Sequence, residues 1–453
     1  VRLSSATLGH LPASVARPEY DRHGQAGGIV HFGIGAFHRA HQAVYTDDAL
    51  GRGERDWLIT GISLRSANVA DQLNPQDGLY LANVRSAASD AFRVIGSVAR
   101  VLVAAQVPEA VVAAIAAPST HIISFTVTEK GYCRAADGSL DHSLADGASI
   151  YRFLHAGLAQ RRAAGLPGVT LLSCDNLSDN GRQIERLVGE YLLRQDVALA
   201  HWVSDTCTFP CSMVDRIVPA TTTGDVDAAE ELLGLRDAGL VLTEPFTQWV
   251  IEDRFAGPRP QWEKNGVQFV ADVAPWEKAK LRMLNGAHSA LAYMGLMRGH
   301  SYVHQAIADQ QLRGLIQQLM LGEAATTLPK IIGFSPFDYA TALMARFGNP
   351  ALNHRLEQIA MDGSQKIPQR WLETLLERHG SGHQSPVIMA ALAAWVHHLS
   401  GEFGAVSDPI TERLASASSP EILTQNLFAA DALMPLPNSL LEDLLRRLPV
   451  HLG

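Results

Sequence analysis

Gly28-Ile29-Val30-His31-Phe32-Gly33-Ile34-Gly35-Ala36-Phe37-His38-Arg39-Ala40 is the stretch on which the fold turns. A short apolar run closed by glycine reads as a strand of a buried parallel sheet. Residues 36–50 continue as a helix, so strand, tight turn and helix follow one another directly. Gly33 permits the turn, and Gly35 lets backbone N–H groups approach a pyrophosphate where the helix begins. The third glycine of the usual dinucleotide fingerprint is absent, and His38 stands in its place. Taken alone, the motif also fits a purely structural strand–turn–helix. Gly33, Ile34, Gly35, Ala36, Phe37, His38 and Arg39 are the candidate cofactor-binding residues. His38, Arg39 and His41 read either as cations beside a phosphate or as solvated helix residues.

Outward from this stretch the same order repeats. Residues 57–62, 93–98, 121–127 and 169–174 read as strands, and residues 109–116 and 180–194 as helices. Repeated β-then-α order implies a doubly wound parallel sheet, which binds ligands at the carboxyl ends of its strands. Beyond about residue 270 strand candidates become scarce, while 276–298, 303–321, 336–346 and 386–400 read as helices. The expected architecture is α/β. A Rossmann-type dinucleotide-binding domain over 1–269 precedes a mostly α-helical substrate and catalytic domain over 270–453, with the active site in the cleft between them.

Composition narrows the function. Of 453 residues, 47% are hydrophobic and 18% charged, which is ordinary for globular chains. A net charge of −9 argues against nucleic acid as partner, since phosphate binding needs clustered Lys and Arg. No apolar run reaches transmembrane length, the first 30 residues are too mixed in charge for a signal peptide, and four cysteines make no disulfide framework. A reduced, cytoplasmic enzyme acting on a small molecule is expected, with neither membrane nor nucleic acid as partner.

Ala279-Lys280-Leu281-Arg282-Met283-Leu284-Asn285-Gly286-Ala287-His288 carries the chemistry. At about 100° per residue, Lys280, Glu277, His288 and Asn285 fall within one sector roughly 140° wide, shared with Leu281 and Leu284. A solvated face explains the charges but not the apolar neighbours; a site explains both. Oxidising an alcohol by hydride transfer requires removal of its hydroxyl proton. A lysine in a dry pocket has its ammonium disfavoured and can act as that base. Asparagine amides donate to the developing oxyanion without taking a proton, and Asn285 and Asn176 are the candidates. Asn176 follows a strand end, although Asp175-Asn176 also reads as turn chemistry. His288 is placed to bond a neighbouring hydroxyl, and Glu277 to pass the proton to solvent. The ribose-binding acid usual after the second strand is missing from Leu64-Arg65-Ser66-Ala67-Asn68. Asn68 can still bond a ribose hydroxyl and Arg65 can attract a 2′-phosphate. These residues leave NAD versus NADP open; NAD is the expected cofactor, with NADP possible.

Together these segments resemble the mannitol dehydrogenase family, the polyol-specific long-chain dehydrogenases, along nearly the whole chain. The most specific stretch is Phe209-Pro210-Cys211-Ser212-Met213-Val214-Asp215-Arg216-Ile217-Val218-Pro219. It is joined by the glycine loop, Ser173-Cys174-Asp175-Asn176, Glu244-Pro245-Phe246, and Lys280 with Asn285 and His288. The resemblance implies a metal-independent secondary-alcohol dehydrogenase, often monomeric. It implies Lys280 as general base, Asn176 and Asn285 as the oxyanion pair, His288 as substrate ligand, Glu277 as proton exit, and Asp215 and Lys366 near substrate. Two departures stand out: Ala67-Asn68 replaces the acidic pair of NAD-preferring members, and Gln358 replaces a substrate-contacting arginine of the mannitol oxidisers. Residues 358–370 look closest to the fructuronate reductase (mannonate oxidoreductase) branch. A sugar-acid carboxylate needs a cation, and Lys366, Arg355 and His354 are the candidates, with exposure on a helix or loop as the plain alternative.

Three other readings are weighed. A mannitol 2-dehydrogenase, or a related arabinitol or sorbitol dehydrogenase, would use the same machinery on a neutral polyol. A zinc dehydrogenase would need paired ligand motifs, and Cys207 with Cys211 has no such pair. A non-catalytic dinucleotide sensor would keep Gly33 and Gly35 but has no need of Lys280, Asn285 and His288.

Overall fold

The computed structural model describes residues 1–86, 90–135, 137–411, 417 and 419–448, in two compact units, Val1–Ala274 and Pro275–Gly453. In chain order the strands of the first unit are β1 (Gly27–Phe32), β2 (Leu58–Ser63), β3 (Tyr80–Arg85), β4 (Asp90–Ile95), β5 (Val98–Val103), β6 (Ile122–Phe125), β7 (Thr170–Ser173), β8 (Ser212–Asp215), β9 (Val241–Thr243), β10 (Gln248–Glu252) and β11 (Gln268–Val270). The main sheet is parallel in the order β5-β2-β1-β6-β7. Alternation along each strand feeds two cores. Ile29, Ile59, Ile122 and Leu172 pack on one side with Tyr45, Leu50, Trp249 and Trp262. Val30, Phe32, Ile62, Ile123, Phe125 and Leu171 pack on the other, against Val111, Ile115, Leu158, Ile184 and Leu187 of flanking helices. With both faces covered, the strands need no polar face and read as mainly apolar runs, their few polar side chains such as His31 and Ser124 buried and bonded to each other. The chain winds outward through β2 and β5, then returns to β6 and β7. The switch point of the sheet therefore lies between β1 and β6.

Two expectations in this unit need correction. Residues 93–98 are not one strand but the end of β4 and the start of β5, separated at Gly96-Ser97. β4 pairs antiparallel with β3 in a separate small sheet, β4-β3-β9, while β5 joins the main one. The helix expected over 36–50 breaks at His41 (φ −124°, ψ −92°) into Ala36–Ala40 and Gln42–Gly51. β8, β10 and β11 form the remaining sheet.

The regular elements of the second unit are all helices among its described residues, apart from an isolated bridge of Tyr302 with Arg355. Its central helix, Gly286–Met297, is buried along most of its length through Ala287, Ala290, Leu291, Met294 and their neighbours. The helix Pro386–Leu399 packs on it, with its first N–H groups held by the buried Glu323: Val387 and Ile388 donate at 2.8 and 2.9 Å. A carboxylate there satisfies orphan donors and meets the positive end of the helix. The run 303–321 is broken at Asp309, whose side chain accepts from Gln311 and Leu312 and starts a new helix. Residues Lys280–Asn285, Leu319–Ala324 and Pro368–Leu372 are wound as π turns. Among the described residues no helix is long and apolar enough to cross a membrane.

Candidate active site

The glycine loop closes β1 at the switch point. Gly33 has φ +93°, and a Cβ there would stand 2.0 Å from the Thr126 carbonyl oxygen, so only glycine fits. Its N–H donates to Ile62 O at 2.9 Å, and its carbonyl accepts from Thr126 Oγ1 at 2.7 Å. Ile34 turns inward onto Gly61. Gly35 is exposed, and a Cβ on it would meet nothing nearer than 3.8 Å. The loop thus offers open backbone at Gly35, with Ala36 and Phe37 half-buried beside it, and this cradle fits a dinucleotide.

His38 and Arg39 do not join that surface, which corrects their expected role at a phosphate. His38 is buried, its ring stacked on His31 at 3.4 Å, and burial pushes its pKa well below the usual value, so it stays neutral. Arg39 is buried as well. Its Nη1 donates to the Gly239 carbonyl and its guanidinium lies 5.5 Å from the Tyr80 ring centroid. Beneath the loop, His31 Nδ1 meets Ser124 Oγ and Nε2 meets Thr126 Oγ1, both at 2.8 Å. Burial pushes the His31 pKa down to about 3, so this brace too is uncharged.

Arg65 and Asn68 lie exposed just after β2, Asn68 opening the helix Asn68–Leu73. Asn176 is exposed just beyond β7. Its neighbour Asp175 is an anchor: buried, it accepts from Val127 N–H, Thr128 N–H and Tyr132 O–H at 3.0, 2.9 and 2.9 Å. Asp215 ends β8 and is buried. The rest of 209–219 is mostly architecture. Arg216 donates to the Glu244 and Ala40 carbonyls, and Ile217 N–H to the Glu244 carboxylate. Burial lowers the Arg216 pKa to about 10.

In the second unit, Lys280 opens the π turn and is 6% exposed. A wheel of about 100° per residue no longer holds through the turn, since each π turn takes in an extra residue. Such turns recur at functional sites because they offset side chains from the regular helix face. Asn285 ends the turn and is half-buried, as is His288 one turn later. His288 Nε2 is buried without a hydrogen-bond partner among the described residues. Its ring lies 4.6 Å from Phe347 and 5.4 Å from His354. Burial, reinforced by His354, Arg346 and Arg370, pushes its pKa far down, so His288 is a neutral ligand. Glu277 lies on the preceding turn, Ala274–Ala279, and is half-buried. Arg282, in the same π turn, is locked away from this group: it takes Glu377 with both Nη atoms at 2.7 Å and Glu373 at 3.3 Å.

The cations expected at a carboxylate fare unequally. His354 stands beside His288. Arg355 is exposed, paired with Glu357 at 3.2 Å and lying over Tyr302, so it is not drawn into the group. Lys366 is half-buried and closes a helix end, with Nζ donating to the Met361 carbonyl at 2.5 Å and toward Ile359 O at 3.4 Å. Gln358 is exposed. Sequence reasoning passed over Arg370 and the buried Arg346, both close enough to act on His288. The spacing of Arg370, one turn past Lys366, was the only available signal. Among the described residues no group of three His, Cys, Asp or Glu side chains converges as metal ligands would.

Residues 27–264 match the mannitol dehydrogenase Rossmann domain and 272–429 the mannitol dehydrogenase C-terminal domain. The chain is 39% identical to the D-mannonate oxidoreductase of Escherichia coli, covering 95% of this chain and 92% of that one. It is also 39% identical to a mannitol 2-dehydrogenase of Pyrenophora tritici-repentis, covering 95% and 81%. Among solved structures, Pseudomonas fluorescens mannitol 2-dehydrogenase, in ternary complex with NAD and D-mannitol, superposes with a TM-score of 0.86 at 34% identity, over 99% of this chain and 96% of that one. A substrate-free D-sorbitol dehydrogenase gives 0.90 at 31%, with the same coverage. The chain therefore belongs to the mannitol dehydrogenase family of oxidoreductases.

Proposed function

We propose that this protein is a metal-independent, NAD-dependent secondary-alcohol dehydrogenase, able to accept NADP, that acts on a linear sugar acid and reduces fructuronate to mannonate. The observation that carries this is a buried lysine opening a π turn that also presents Asn285 and, one turn on, a neutral His288. When bound, the nicotinamide exchanges a hydride with the carbinol carbon. The chain's own residues handle the proton. Lys280 takes the hydroxyl proton in oxidation and returns it in reduction, so no Lewis acid is called for. Asn285 and Asn176 donate to the oxygen as charge develops on it. His288 bonds an adjacent hydroxyl without adding charge, and Glu277 leads the proton to solvent. Gly33 and Gly35 take the dinucleotide, with Arg65 and Asn68 at its ribose and Asp215 near substrate.

Absorbance of NADH and NADPH followed across fructuronate, tagaturonate, fructose, hexitols and pentitols tests the reading. Fructuronate is expected to exceed fructose in kcat/KM. Mannitol oxidation without turnover of fructuronate or mannonate rejects the sugar-acid assignment. It favours the mannitol 2-dehydrogenase reading, which the names of several relatives and of one solved structure support. Lys280→Ala is expected to lower turnover by about 10²–10⁴-fold while NADH still binds. A near-wild-type rate at every pH refutes the base assignment.

A further inference from the structure

Arg370 sits in the π turn Pro368–Leu372, against the start of the helix that carries His288. The approach is close: Trp371 Nε1 donates to Gly286 O at 3.0 Å, and a Cβ on Gly286 would lie 3.4 Å from the Arg370 carbonyl. One edge of the guanidinium is fixed there. Arg370 Nη1 donates to the buried Ser289 Oγ at 2.7 Å and toward the Asn285 carbonyl at 3.5 Å. Nε and Nη2 donate to no group among the described residues, and no carboxylate pairs with Arg370. Other enclosed arginines are answered by carboxylates, as Arg282 is by Glu377 and Glu373, or by backbone carbonyls, as Arg161 and Arg216 are.

A largely enclosed cation without a counter-ion is strongly destabilising, so its persistence needs a reason. Burial has lowered the Arg370 pKa to about 10, which still leaves it charged at neutral pH. Its neighbour His288 is neutral and offers it no charge, and no ion pair to Arg370 is found among the described residues. The cations first expected to meet a carboxylate are engaged elsewhere, Lys366 on backbone carbonyls and Arg355 on Glu357. A guanidinium edge with two parallel N–H groups matches a carboxylate in bidentate fashion.

We propose that Arg370 is the residue that selects a sugar acid over a neutral polyol, its Nε/Nη2 edge binding the substrate carboxylate while Nη1 stays on Ser289. This rests on the sugar-acid reading above. The anchor touches the backbone of Asn285, so it ties the acid end of the substrate to the residue that meets the reacting oxygen. A neutral substrate leaves the edge unpaired, and a site left with unpaired polar groups can discriminate by as much as about 10⁴.

The test compares the full-length wild type with Arg370→Gln and Arg370→Lys. Fructuronate and fructose reduction are measured, together with calorimetric binding of D-mannonate and D-mannitol in the presence of NADH. For Arg370→Gln, the ratio of fructuronate to fructose kcat/KM is expected to fall by about 10²-fold or more, chiefly through the fructuronate KM. Mannonate binding should weaken in parallel. Arg370→Lys, which keeps the charge but not the fork, should fall between. An unchanged thermal unfolding profile certifies that each variant is folded. Equal losses on fructuronate and fructose, or no loss on either, overturn the carboxylate role of Arg370 and leave the sugar-acid reading standing. A wild type that turns over mannitol but neither binds mannonate nor reduces fructuronate rejects the sugar-acid reading itself, and Arg370's role with it.

Discussion

Replacing Gly33 and Gly35 by alanine separates what the loop does for the fold from what it does for the cofactor. At Gly33, φ of +93° is strained for any L side chain, by about 1–2 kcal/mol. The added Cβ would also stand 2.0 Å from the Thr126 carbonyl, so the backbone at the β1–β6 switch point must move. Overpacking of this kind typically adds about 1–3 kcal/mol. The expected loss is therefore about 2–5 kcal/mol, or a fall in Tm of roughly 4–20 °C for a unit of this size. Gly35 has φ −78° and open space around its missing Cβ, so alanine there is nearly strain-free. Its loss as a helix cap costs about 1 kcal/mol at most. The same Cβ, however, stands where a pyrophosphate must approach the backbone. Losing one charge-assisted hydrogen bond of about 1.5–3 kcal/mol corresponds to roughly 10–150-fold in affinity. Thermal unfolding and titration of NADH by its fluorescence read the two effects. Gly33→Ala should lower both stability and affinity, and Gly35→Ala affinity alone. A Gly35→Ala variant that binds NADH as the wild type does would falsify the assignment of this loop to the cofactor.

Asn68→Asp places a negative charge after β2 where a 2′-phosphate would approach. The kcat/KM ratio of NADP to NAD should fall roughly tenfold, as for like charges a few ångströms apart near a surface; an unchanged ratio puts the ribose elsewhere. Glu377 is held at a pKa of about 2, chiefly by its hydrogen bond from Arg282 and next by Lys278. A depressed carboxylate pKa contributes stability above the unfolded value near 4.5, and that contribution is lost as pH falls from there through about 2. Glu377→Gln should thus cost about 1–3 kcal/mol at pH 7, given a half-exposed acid and a buried Arg282. Urea midpoints at pH 7, 5 and 3 should show the gap to wild type closing with acid, and a gap independent of pH contradicts the pairing.

How far the sequence could be read depended on whether the physics in question is local. β1, β6 and β7 were legible because a strand buried on both faces leaves a short, mainly apolar run with no polar alternation. β4 and β5 were not separable: Arg93-Val94-Ile95-Gly96-Ser97-Val98 carries no charge or proline at the break, and the pairing that divides it comes from β3 and β2, distant in sequence. The break at His41 was equally hidden, because helix periodicity continues across it.

The site divides along the same line. Lys280, Asn285 and His288 could be picked out because a lysine, an amide and an imidazole among leucines are anomalous wherever the helix packs. That the backbone there is a π turn could not, since an i→i+5 bond leaves no residue period to read. Cations were the hardest to place. Arg39, Arg282, Arg355, Lys366 and Arg370 are alike on paper as basic residues near a motif. What distinguishes them is who answers their donors: a carbonyl for Arg39 and Lys366, carboxylates for Arg282 and Arg355. Arg39 Nε and Arg282 Nε are left over too, but sealed from solvent; for Arg370 one edge is answered, by Ser289 and Asn285, and the other is not sealed. In a packed interior nearly every polar group finds a partner, so donors left over where a ligand can reach them carry more information than those satisfied or sealed.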